Sequence, residues 1–179
     1  MAKKDKITVY IDDANLHQGT ISLGWELNYS RLSIWLKEKY NAQQIYMFMG
    51  LIPKYKKLYT ALQEFGFTLI FKETVCGEGG KIKGNCDASL VLKVVSDFYE
   101  KKFDKAIIVS SDGDYADLVE FLKIKNSLKI LISPSNKCSY LLRKLNIPIL
   151  YLDAQKDKLK IDQKEKAPDK DGTSSGSLS

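Results

Sequence analysis

Six short apolar runs divide the chain: residues 7–12, 44–50, 67–72, 105–110, 128–133 and 148–152. Each is rich in Ile, Val, Leu, Tyr or Phe, and none alternates cleanly between apolar and polar residues. Strands of that kind are buried on both faces, as in a parallel sheet covered by helices. Helical patterns separate them. Residues 29–40 place Leu32, Trp35 and Leu36 on one side, with Asn28 or Ser30 available as a cap. Residues 54–65 end before Gly66, a residue suited to a helix C-terminus. Residues 87–102 align Leu90, Val91, Val94, Val95 and Phe98, and residues 114–125 align Leu118, Phe121 and Leu122 around Asp117. Residues 137–145 form the last pattern. Strands separated by helices of this length predict right-handed βαβ units, an α/β fold with a mainly parallel sheet.

At 179 residues and 44% hydrophobic content, the chain can bury one proper core and not two. From residue 154 the composition turns charged and polar, then rich in Gly and Ser. The expected organisation is a domain over 1–153 and a tail over 154–179 that buries too little to fold alone. Residues 76–84 interrupt the rhythm with Gly77, Gly79, Gly80 and Gly84 beside Lys81 and Lys83. They predict a basic loop on the rim where strands end, although an ordinary long connection explains them too. The net charge of +6 favours polyanions such as RNA or DNA, and a lysine-rich surface accounts for it equally.

Cys76, Cys86 and Cys138 form no C-x-x-C pair, and His17 is the single histidine, so a zinc site is not expected. Reduced thiols, a start too short in apolar residues for a signal peptide, and the lack of a membrane-length apolar run predict a cytoplasmic protein without membrane contact.

Four acids stand where the expected strands run out: Asp12, Asp87, Asp112 and Asp114. Open α/β sheets bind ligands beyond the carboxyl ends of their strands. Carboxylates gathered there repel one another unless a cation offsets them, and oxygen-only donors suit Mg²⁺ or Mn²⁺. Each acid also has a plainer reading. Asp87 opens a helix, where an acid suits the dipole. Asp112 or Asp114 fits a turn and helix cap. Asp13 should alternate away from Asp12 and serve as surface or turn. Asn15 caps the next segment, or holds Asp12 or a phosphate. Counted from Asp112, Ala116, Asp117 and Lys123 fall at the fifth, sixth and twelfth places of a calcium loop, so an EF-hand is excluded. No Ser-His-Asp set, G-x-G-x-x-G or Walker A sequence is present.

Three segments carry a family resemblance: Tyr-Ile-Asp-Asp-Ala-Asn-Leu-His from Tyr10, Lys-Gly-Asn-Cys-Asp-Ala-Ser-Leu-Val-Leu from Lys83, and Ser-Ser-Asp-Gly-Asp-Tyr from Ser110. In that order and spacing they resemble the LabA-like NYN domains of the PIN-like nuclease superfamily, over about residues 7–153. The resemblance implies a three-layer α/β/α sandwich with a central parallel sheet, Rossmann-like in outline, and metal-dependent RNA cleavage. It makes Asp12, Asp87, Asp112 and Asp114 the metal-site acids, with Asn15 and Ser110 as accompanying polar residues. Asp13 and Ser111 stand where the family commonly has Gly, and Tyr115 where it has Phe.

The expected function is thus an endoribonuclease using one or two Mg²⁺ or Mn²⁺ ions. Lys81 and Lys83, then Lys54, Lys56 and Lys57, are the expected backbone contacts on single-stranded RNA. Tyr55 and Tyr59 are placed to stack on unpaired bases, although a solvated helix face also explains that cluster. The alternative is a catalytically silent PIN-like module that binds RNA or protein. A receiver-type phosphate-signalling domain fits poorly, because Phe71 and Lys72 end the third strand where a phosphoacceptor acid belongs. A homodimer paired through a sheet edge is compatible with the chain.

Overall fold

The computed structural model describes residues 4–72, 75–76, 82–83 and 86–162, with 75–76 and 82–83 as backbone. In chain order these form β1 (Ile7–Asp12), α1 (Asp13–Ser22), α2 (Tyr29–Tyr40), β2 (Ala42–Gly50), α3 (Lys56–Glu64) and β3 (Thr68–Lys72). Two short strands follow, β4 (Val75–Cys76) and β5 (Ile82–Lys83), paired antiparallel. The second half comprises α4 (Asp87–Tyr99), β6 (Lys105–Val109), α5 (Ala116–Ile124), β7 (Leu128–Ser133), α6 (Tyr140–Arg143), β8 (Ile149–Tyr151) and α7 (Lys156–Leu159).

The six long strands make one sheet in the order β3-β2-β1-β6-β7-β8, with every pairing parallel. This is the α/β sandwich expected from the apolar runs. The chain builds outward from β1 to β3, then returns to the other flank of β1 and builds outward again. Right-handed crossovers therefore put the first helices on one face and the later helices on the other. Ile7, Val9 and Ile11 of β1 pack with Leu16, Leu32, Leu36, Leu62 and Leu159. Tyr10 turns to the opposite face, where Leu90, Val94, Leu118 and Leu142 cluster. The reversal between β1 and β6 opens a crevice at their carboxyl ends, the usual ligand position in such sheets.

One buried acid belongs to the core. Asp97 accepts from the Tyr10 hydroxyl at 2.9 Å and from Lys93 Nζ at 2.6 Å. Paired and hydrogen-bonded in this way, the carboxylate is tolerated inside.

Several expectations need correction. The helix α1 was absent from the sequence reading, because its buried residues are only Leu16, Gly19 and Thr20 and make no apolar stripe. The last expected helix shrinks to α6: Ser135 and Ser139 bind nearby backbone amides and hold residues 134–139 in turns. The ordered chain also runs past Asp153. Leu152 and Leu159 are fully buried, Leu27 bridges to Lys160, and Arg31 bonds the Lys160 carbonyl at 2.8 Å. Residues 154–162, expected as part of the tail, are thus docked along α2 by one buried leucine, Leu159, and by the Asn28 and Arg31 bonds to residues 159–160. Residues 163–179 lie outside the described residues. Among the described residues no helix is long and apolar enough to cross a membrane.

Candidate functional site

Strand alternation sends Asp12 to the same face of β1 as Tyr10. Asp12 ends β1 and caps α1: its Oδ1 accepts from the Asn15 amide at 3.1 Å. Its Oδ2 lies 3.2 Å from the Tyr115 hydroxyl, which donates to Asp87 Oδ1 at 2.6 Å. Asp87 begins α4, and Tyr115 ends a 3₁₀ turn over Gly113–Tyr115 that leads into α5. One buried hydroxyl thus holds together two acids that are 75 positions apart in the sequence.

Asp112 follows β6. Its amide donates to Ser110 Oγ at 3.1 Å, and its Oδ1 accepts from the Asp114 amide at 3.1 Å. Asn15 ties this loop to α1: its Oδ1 accepts from the Ser111 amide at 2.8 Å and the Ser111 hydroxyl at 2.9 Å. Asp12, Asp87, Asp112 and Asn15 all line one cleft of about 1060 Å³ at the switch point of the sheet.

The sequence-derived candidates divide as follows. Asp12, Asp87, Asp112 and Asn15 are brought together. Ser110 is buried beneath them and supports Asp112 through its hydroxyl. Asp114 is not brought in: it is exposed within the 3₁₀ turn and does not line the cleft, because the turn that Asp112 caps points it outward. Lys54, Lys56 and Lys57 are exposed near the cleft without lining it. Tyr55 lines it, with Lys54 Nζ 5.0 Å from its ring centroid. Tyr59 lines it too but is largely buried, and its hydroxyl accepts from the Ile52 amide at 2.8 Å. Lys81 and the side chain of Lys83 lie outside the described residues.

Asp13, expected as surface or turn from strand alternation, instead lines the cleft and adds its charge there, with Tyr29 donating to its Oδ1 at 3.0 Å. Tyr115 carried a signal, a hydroxyl where the family commonly has Phe, but its link to Asp12 and Asp87 is purely tertiary. Ile161 also lines the cleft, from the segment expected to be tail.

The electrostatics follow from this crowding. Burial pushes the Asp12 carboxyl above its usual range, and Asp87 and Asp112 push it the same way, while the Asn15 amide and Tyr115 hydroxyl oppose them. Burial also raises Asp13, against the Tyr29 hydrogen bond and His17. Tyr115 is raised far by burial and by both neighbouring acids, so it stays a neutral donor. Five carboxylates, with Glu26, line the cleft, and among the described residues no lysine or arginine does.

A phosphate entering such a cleft needs a cation to offset these charges. Among the described residues, no three His, Cys, Asp or Glu side chains stand close enough to enclose one ion. The donors nonetheless fit Mg²⁺ or Mn²⁺ in kind, because Mg²⁺ is usually held by one or two carboxylates, waters and substrate phosphate.

The NYN domain family matches residues 6–147. The chain belongs to this family. NYN domains are nuclease-like, of the PIN-like type. A crystal structure of a protein of unknown function from Vibrio parahaemolyticus is similar, with TM-score 0.72 at 20% identity, covering 90% of this chain and 99% of that one. At that identity the likeness speaks for the fold. No curated protein matches the sequence.

Proposed function

We propose that this NYN domain is a Mg²⁺- or Mn²⁺-dependent endoribonuclease acting on single-stranded RNA. The observation that carries the reading is the meeting of Asp12, Asp87 and Asp112, from three separate elements, in one cleft at the switch point. Asp12 and Asp87 would hold the ion from β1 and α4, and Asp112 would complete the acidic face from the β6 loop. A bound ion would supply charge neutralisation for the scissile phosphate and a more acidic water. Tyr115 bridges Asp12 and Asp87, and Asn15 fixes the Asp112 loop against α1. Ser110 holds the turn that aims Asp112. Lys54, beside Tyr55 at the cleft, would meet the RNA backbone.

One observation favours a catalytically silent module instead: no three acids converge tightly enough to enclose an ion among the described residues. One experiment separates the two. Labelled single-stranded RNA is incubated with the protein in Mn²⁺, in Mg²⁺ and in chelator, beside Asp112→Asn. The nuclease predicts metal-dependent cleavage that falls by about 10²-fold or more in the variant. Binding without cleavage in every wild-type reaction would favour the silent module.

A further inference from the structure

The cleft is larger than its acids require. At about 1060 Å³ it reaches the upper range of sites that enclose a whole ligand. Besides its acids the cleft has an apolar lining, Ile21, Leu27, Ile52, Tyr55, Leu58 and Ile161, with Glu26 beside Leu27 as the charged group next to this part of the wall. Ile21, Tyr55 and Leu58 remain 43%, 41% and 43% exposed. Apolar side chains left open together on a concave surface mark a binding site.

This wall is completed by chain beyond the family match, which ends at residue 147. The Ile161 amide donates to the Glu26 carbonyl at 2.9 Å, and the Asn28 amide donates to the Leu159 carbonyl at 2.8 Å. Arg31 bonds both the Lys160 carbonyl and Asp162. The segment is therefore strapped along residues 26–31, which sets Ile161 into the cleft beside Leu27.

We infer that this apolar lining is a nucleobase subsite, with Tyr55 as its stacking surface and Ile161 as its closing wall. The inference rests on the phosphodiester reading above. Carboxylates that need a cation and an apolar lining with a partly exposed aromatic ring, in one cleft, match the two ends of a nucleotide, phosphate and base. A base within a duplex has its faces covered by stacking, so the occupant is an unpaired base. Lys54, beside Tyr55, adds positive charge there.

The test uses the full chain in chelator, so that it does not depend on a metal. Adenosine, uridine and free ribose are titrated and followed by NMR, with Tyr55→Ala and Ile161→Asp alongside. Binding of the nucleosides and not of ribose is expected, weakened about tenfold in Tyr55→Ala, in line with the loss of one stacking contact. Ile161→Asp should weaken it comparably. Thermal melts check folding; Tyr55 is partly exposed, so its variant remains decisive if Ile161→Asp does not fold. No nucleoside binding by the wild type, or binding unchanged in Tyr55→Ala, overturns the subsite. Nucleoside binding without RNA cleavage in Mn²⁺ would sink the nuclease reading and leave the subsite standing. Metal-dependent cleavage without nucleoside binding would do the reverse.

Discussion

Asp12 performs two tasks that conflict. As a helix cap it stabilises α1, and as a buried acid facing Asp87 and Asp112 it opposes folding. Its folded pKa lies above the usual carboxylate value. A carboxyl shifted this way contributes stability at low pH, and that contribution is lost as pH rises through the folded value. Asp13 is shifted in the same direction. In chelator, these two groups should therefore make the protein melt at higher temperature within the ordinary carboxylate range than at neutral pH. Asp12→Asn keeps a capping oxygen and removes the charge, so it should raise the neutral-pH melting temperature by a few degrees and flatten the pH slope. A variant that melts lower, with the slope intact, would show that the acids do not strain the fold. Tyr115→Phe makes the complementary prediction. Its hydroxyl bonds a charged acceptor, so its loss should cost about 1.5–3 kcal/mol, read from urea unfolding in chelator. An unchanged midpoint would deny the hydroxyl its bridging role.

Among the elements, α1 decides the shape of the site, because it carries Asp12 as cap and Asn15 in its first turn. It lies very close to the β7–α6 connection: a Cβ on Gly19 would stand 2.6 Å from Pro134 Cβ. Alanine normally favours a helix interior over glycine by about 1 kcal/mol. Here a rigid proline ring stands in the way, so Gly19→Ala should instead destabilise, by about 1–3 kcal/mol in urea unfolding. If it stabilises, α1 has room to shift. The strands and the long helices were legible because a buried parallel strand and an amphipathic helix each write a pattern into the sequence. Gly66 was legible too, and adopts φ 92° just past α3. The helix α1 was not: it is held by its cap and by contacts at its ends, with no stripe to read.

At the scale of the molecule, the segment after β8 closes the structure. Leu159 is fully buried against the α1–α3 face. Leu159→Ala should cost about 2–5 kcal/mol and should loosen Ile161 at the cleft wall. Chemical denaturation measures the first effect. A cost near zero would mean that the segment is only lightly docked and that the domain ends near Asp153 after all.

The sequence by itself determined the parallel sheet, the place of Asp12 at the end of β1 and of Asp112 after β6, and the NYN family. These are local signals: apolar runs, helical periods and motifs that read the same wherever the chain goes. Tertiary structure alone decided which acids meet. The crossover from β3 back to β6 sets Asp12 beside Asp112, and the Tyr115 hydroxyl couples Asp12 to Asp87. A single 3₁₀ turn separates Asp112 from Asp114, two residues away. The same holds for Ile161, whose sequence neighbours are charged: its place in the cleft follows from the burial of Leu159 and the bonds of Arg31, which no local pattern announces.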